Sequence, residues 1–183
     1  MALRSVGVFC GSKVGTRPEY ASAAAELGML LAAQNVRLVY GGGSSGLMGV
    51  IADACLARGG KVVGVMPRLL VGREVAHRGL TTLHIVETMH ERKALMADLS
   101  DAFVAMPGGI GTFDELFEIL TWRQIGFHAK PFLFLNVAGY FDPLLALADH
   151  AVTEGFLGDS HRAMLTSEVE PARLLQVLRS VTP

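Results

Sequence analysis

The chain has 183 residues, a formal net charge of −1 and 51% hydrophobic residues. That length suits one domain with a full core, and a balanced charge without a basic tract argues against nucleic acid or a membrane surface as partner. No apolar run is long and charge-free enough to span a bilayer, and the N-terminus enters a strand without a secretory pattern. Cys10 and Cys55 fall in apolar elements and read as small buried hydrophobes rather than a bridge. The expectation is a single cytoplasmic domain over residues 1–183.

Short apolar runs recur at Val6–Cys10, Arg37–Tyr40, Lys61–Met66, Leu83–Val86, Ala102–Met106 and Phe132–Asn136. They do not alternate with polar residues, which predicts strands covered on both faces, as in a parallel sheet. Helical patterns fall between most of them: Pro18–Gln34, Leu47–Arg58, Met89–Ser100, Leu116–Phe127 and Pro143–Glu154. Strand then helix, repeated, predicts a Rossmann-like three-layer α/β fold: a mostly parallel sheet of six or seven strands with helices on both faces. Ligands of such sheets bind beyond the carboxyl ends of the strands. Pro67–Gly79 is the one longer loop, and its Arg68, Arg73, Glu74 and His77 suit a lid. His161–Val181 reads as a short edge element and a closing helix over Pro171–Ser180.

The most informative stretch is Pro107-Gly108-Gly109-Ile110-Gly111-Thr112-Phe113-Asp114-Glu115, between the Ala102–Met106 strand and the next helical run. Pro107 ends the strand because it has no N–H for a ladder. Three glycines in four positions allow φ > 0 and can turn N–H groups toward one point. With the free N–H groups and dipole of the following helix they predict a phosphate site. Thr112 and Glu115 have the T-x-x-E spacing of a capping box. Alternatively Glu115 has a task, since a carboxylate beside phosphate is otherwise repelled.

A second glycine loop, Gly41-Gly42-Gly43-Ser44-Ser45-Gly46-Leu47-Met48-Gly49, also precedes a helix and suits a phosphate or sugar cradle. As a dinucleotide fingerprint it lacks the acidic residue after the next strand, where Met66-Pro67-Arg68 stands. As a nucleophile elbow it would centre on Ser44, with Asp142 or Asp149 and His150 or His161 in chain order, but three consecutive glycines better suit a backbone cradle. In the third motif, Glu87-Thr88-Met89-His90-Glu91-Arg92-Lys93, Thr88 and Glu91 again have capping-box spacing. Arg92 and Lys93 oppose the helix dipole there. The pattern alone leans to two solvated cations, and a phosphate nearby would reverse that. The scattered histidines and carboxylates do not make a metal site, and no lysine context announces a Schiff base, so no cofactor is expected.

These segments together resemble the LONELY GUY (LOG) family. The resemblance is carried by Cys10-Gly11-Ser12, by Tyr40 through Gly43 with Gly46 through Gly49, and by Met89 through Lys93. Pro107 through Glu115, Leu120 through Gly126 and Lys130-Pro131 complete it, in order over most of the chain. It implies a phosphoribohydrolase that cleaves the N-glycosidic bond of cytokinin riboside 5′-monophosphates, and of AMP, to free base and ribose 5-phosphate. It further implies Arg92 and Glu115 as the catalytic pair. Substrate contacts would come from Glu74, Arg92, Lys93 and Gly109, Ile110, Gly111, Thr112, Phe113 and Asp114. Gly11, Ser12, Gly42, Gly43, Gly46, Met48, Met89, Pro107 and Gly108 complete the expected binding set, in a homodimer. The alternative from another class is a nucleotide-binding carrier of the same fold that does not cleave its ligand.

Overall fold

The computed structural model describes residues 3–71 and 76–182. Their strands are β1 (Ser5–Phe9), β2 (Arg37–Tyr40), β3 (Val62–Pro67), β4 (Thr82–Val86), β5 (Ala102–Ala105), β6 (Phe132–Leu135) and β7 (Thr166–Glu168). All pair in parallel, in the spatial order β4-β3-β2-β1-β5-β6-β7. The helices are α1 (Pro18–Ala33), α2 (Gly46–Ala57), α3 (Arg68–Val71), α4 (Met89–Asp98), α5 (Ile110–Gln124), α6 (Asp142–Thr153), α7 (Asp159–Arg162) and α8 (Pro171–Val181). The short edge element expected near the C-terminus is β7. The short helices α3 and α7, of four residues each, are too brief to leave a periodicity in sequence. No helix of the described residues is long and apolar enough to cross a membrane.

Period-two alternation sorts each strand between two cores. Val6, Val8 and Cys10 face one side with Leu27 and Leu31 of α1, Ile51 and Cys55 of α2 and Leu174 and Leu178 of α8. Phe9, Val65, Phe103, Phe132 and Phe134 face the other, against Met96 of α4 and Leu116, Ile119 and Leu120 of α5. Both faces of the sheet are thus dry across β3, β2, β1, β5 and β6, which is why these strands read as continuous apolar runs, whereas the edge strands β4 and β7 are partly exposed. Both cysteines are buried and unbridged, and burial raises the Cys55 thiol to about 11.

Chain order reverses beside β1, whose neighbours are β2 and β5. The segment after β1 leads to α1 on one face, and the segment after β5 leads to α5 on the other. A crevice therefore opens beyond the carboxyl ends of these strands, at the topological switch point.

Gly46, the first residue of α2, has φ +61°, and a Cβ there would overlap the backbone of Ser12 and Lys13. Gly59, just past the end of α2, has φ +73°, but a Cβ would meet nothing within 4 Å. Gly59→Ala should therefore cost about 1 kcal/mol, from left-handed strain alone. Gly46→Ala should cost about 3 kcal/mol or more, because a backbone clash adds to the strain. Urea unfolding of both variants checks the difference.

Candidate active site

The site is assembled on the Gly11 peptide. Its N–H donates to Pro107 O at 3.0 Å, and its carbonyl accepts from Leu47 N at 3.0 Å and Met48 N at 3.4 Å. The segments after β1, β2 and β5 are thereby tied together. A Cβ at Gly11 would sit 3.2 Å from Gly108 Cα, and one at Gly108 would overlap Thr112 Oγ1. The sequence suggested that Gly108, Gly109 and Gly111 take φ > 0. None does; positive φ occurs instead at Gly42 and Gly46. Gly108 is needed for close approach between loops rather than for a left-handed turn.

The second glycine loop has part of its backbone engaged within the fold. The N–H groups of Leu47 and Met48 at the start of α2 are taken by Gly11, and Met48 is buried. Gly42 O accepts from His77 N at 3.0 Å, and Gly43 O accepts from the Tyr40 hydroxyl at 3.1 Å. The two aspartates considered for a nucleophile elbow are engaged elsewhere: Asp142 accepts from Asn136, and Asp149 pairs with Arg162. Of the suggested lid, Arg73 and Glu74 lie outside the described residues. Arg68 pairs with Glu87 at 2.9 Å, and His77 bonds Asp53 at 2.9 Å.

Helix α5 begins six residues earlier than the sequence suggested, at Ile110 rather than near Leu116, with Gly109 as N-cap. Thr112 and Glu115 therefore lie inside the helix and form no capping box. Glu115, one turn further in, is buried against α4. Among the described residues no acceptor of the chain takes the N–H groups of Ile110, Gly111 or Thr112. Gly109 and Gly111 have neither positive φ nor any atom within 4 Å of a built Cβ. The fold does not require glycine at either position, and at 111 it lies inside a helix, where glycine costs about 1 kcal/mol relative to alanine. Bare backbone N–H groups at a helix N-terminus suit an anion that approaches closely.

Arg92 and Lys93, read from pattern as solvated, are both buried, at 7% and 6% exposure. Half of the expected capping box forms at the head of α4: Thr88 Oγ1 accepts from Glu91 N at 3.1 Å. The Glu91 carboxylate reaches one residue further back than the N-cap, accepting from Glu87 N at 2.9 Å. The Arg92 guanidinium donates from Nε to Val65 O at 3.1 Å and from Nη2 to Gly41 O at 3.3 Å. Its Nη1 lies 3.4 Å from Glu115 Oε1 and 3.9 Å from Met89 Sδ. A Cβ at Gly41 would overlap Nη2, so that glycine is the opening through which Arg92 reaches the loop. Beside this pair, Lys93 Nζ lies 3.0 Å from Asp114 Oδ2 and 3.1 Å from Glu118 Oε2. Burial lowers the ammonium's pKa, but the bonds and charges of the two carboxylates outweigh it, and the net direction is up from 10.5. Under Glu115 lies Cys10, whose thiol is pushed well above its usual range by burial first and by the Glu115 charge second.

The sequence did not single out the flank of this crevice that faces α1. Lys13, Tyr20 and Tyr140 line a cleft of about 370 Å³ with Gly11, Ser12, Gly108 and Gly109. The Tyr140 hydroxyl donates to Gly108 O, and its ring meets Tyr20 edge-on at 5.9 Å. Tyr140 follows β6 in a 3₁₀ turn at Val137–Gly139, and only tertiary structure brings it here.

This is a Rossmann-like α/β protein whose switch point combines a bare helix N-terminus with a buried guanidinium–carboxylate pair. Residues 48–178 match the family described as possible lysine decarboxylase. A probable cytokinin riboside 5′-monophosphate phosphoribohydrolase of Oryza sativa subsp. japonica is 51% identical over 98% of this chain and 79% of its own length. A cytokinin riboside 5′-monophosphate phosphoribohydrolase of Rhodococcoides fascians is 50% identical over 87% and 81%. The chain belongs to this LOG family. The molybdenum cofactor binding protein of Rippkaea orientalis shares the fold with a TM-score of 0.74, at 19% identity over 100% of this chain and 99% of that one. The molybdenum cofactor carrier protein of Chlamydomonas reinhardtii does so with 0.74, at 20% identity over 97% of each.

Lys93→Met should lower stability at pH 8, because it leaves Asp114 and Glu118 without their shared cation. The folded pKa lies above the unfolded one, so the lysine's contribution is complete below pH 10.5 and declines as pH rises through the folded value. Denaturant unfolding should therefore show the gap between wild type and variant narrowing above pH 10.5.

Proposed function

We propose that this protein hydrolyses the N-glycosidic bond of cytokinin riboside 5′-monophosphates and AMP, releasing free base and ribose 5-phosphate. The carrying observation is the buried Arg92–Glu115 pair beside the bare N-terminus of α5, in a chain half identical to named phosphoribohydrolases. In this reading the 5′-phosphate sits on the N–H groups of Ile110, Gly111 and Thr112, and its binding energy places the sugar. Bond rupture sends the C1′–N electron pair to the purine and leaves positive charge on the ribose, as in glycoside hydrolysis. Glu115 stabilises that charge and orients water, whose hydroxyl ends on C1′ and whose proton ends on the base. Arg92 holds Glu115 in place and faces the departing purine.

The description as a lysine decarboxylase is not carried to this chain. A Schiff-base lysine needs a lowered pKa, and Lys93 is held protonated by two carboxylates. Lys130 donates to Ala97 O at 2.7 Å at the end of α4. The carrier reading draws on proteins near 20% identity, a likeness that carries the fold alone. We also propose a cytoplasmic homodimer of these subunits. Phe117, Leu147 and Phe156 support it: they line an apolar groove between α5 and α6 and are 47%, 63% and 89% exposed.

Glu115→Gln keeps the shape of the side chain and removes its charge. It should lower base release from AMP and from isopentenyladenosine monophosphate by about 10²–10⁴-fold, with the thermal transition still cooperative. Chromatography of the free base is the assay. Undiminished release would remove Glu115 from the chemistry, and tight AMP binding without release in wild type would favour the carrier.

A further inference from the structure

The phosphate carries up to two negative charges, and the cations that the sequence offered for it are engaged elsewhere. Arg92 faces Glu115, and Lys93 faces Asp114 and Glu118, so this cluster of two cations and three carboxylates is itself net negative. Lys13 is different. It lines the α1-side cleft together with Gly108 and Gly109, is exposed, and makes no ion pair with any described carboxylate. Its backbone is fixed while its side chain is free to reach: Gly46 packs directly on Lys13 N, and a Cβ at Gly11 would lie 3.1 Å from Lys13 O. A flexible four-carbon stem on a rigid base, in a cleft shared with Gly109, the N-cap of α5, suits a point charge that follows a phosphate.

We propose that Lys13 is the cation that neutralises the 5′-phosphate, and that it sets the preference for riboside monophosphates over unphosphorylated ribosides. This rests on the phosphoribohydrolase reading and adds a binding residue to it. The arrangement divides the labour. Backbone N–H groups fix the position of the phosphate, while Lys13 supplies full charge from the α1-side cleft. Because Lys13 is exposed, its attraction is screened by salt, unlike that of the buried pairs.

The test compares Lys13→Met and Lys13→Arg with wild type in steady-state hydrolysis of AMP, with inorganic phosphate and adenine as inhibitors. Lys13→Met should raise KM for AMP and the inhibition constant of phosphate about tenfold each, leaving kcat within about twofold and adenine inhibition unchanged. Lys13→Arg should stay within about threefold of wild type. The rise of KM with ionic strength should be shallower in Lys13→Met than in wild type. A phosphate inhibition constant and KM unchanged in Lys13→Met would overturn the proposal. Should wild type release no base, calorimetric titration of AMP into both proteins still decides it. A tenfold weaker affinity in Lys13→Met supports the assignment, and equal affinity removes it.

Discussion

The arrangement depends on one buried charge. Arg92 sits in the first turn of α4, where positive charge opposes the dipole, and is almost wholly removed from water. Such a group persists only when its donors are matched; removing the partner of a buried ion typically costs about 3–5 kcal/mol. Here the matches come from three places: Val65 O within β3, Gly41 O after β2, and Glu115 on α5. Satisfying this guanidinium therefore fixes the distance between α4 and α5 and the course of the glycine loop between them. The absence of a side chain at Gly41 follows directly from it.

The neighbouring Lys93 repeats the device one residue along. Two consecutive cations on α4 meet carboxylates at 114, 115 and 118 on α5, so the helices are joined by a double row of ion pairs. A single exposed pair would contribute little, but the Arg92–Glu115 pair, at 8% and 9% side-chain exposure, is screened less and is held in one geometry, whereas the Asp114 end of the Lys93 pair is half exposed. That rigidity matters more for the direction of Glu115 than for total stability, because a carboxylate placed for chemistry tolerates little drift.

Much of this was legible in the sequence because the strands are buried on both faces and the intervening helices are long. Continuous apolar runs such as Ala102–Met106, closed by the Pro107 stop, pointed to the parallel sheet. The start of α5 was misjudged because Gly109 and Gly111 look like loop residues, whereas the backbone there is helical from Ile110. The burial of Arg92 and Lys93 could not be read locally, since their partners lie 21 to 51 residues away in sequence. The same holds for Tyr140, which reaches Gly108 from beyond β6. Capping signals fared unevenly for a physical reason. Thr88 had a free helix end to satisfy, whereas Thr112 was already past one.

Early initiation of α5 has a consequence for the chemistry. From the N–H groups of Gly111 and Thr112 to the side chain of Glu115 is three or four residues, or about 5–6 Å along the axis. A helix beginning near Leu116 would have put the carboxylate at the anion site itself, where the two negative charges repel. Starting at Ile110 sets them one turn apart on the same rigid element, a span comparable to that between a 5′-phosphate and the anomeric carbon of one ribose. Under the proposed function, one helix would thus present a positive end to the phosphate and a negative side chain to the carbon that becomes electron-deficient. Arg92 on α4 pairs with that side chain at 3.4 Å. In this reading the glycines at 109 and 111 and the ion pair at 92 and 115 serve one geometric requirement, and neither would be useful without the other.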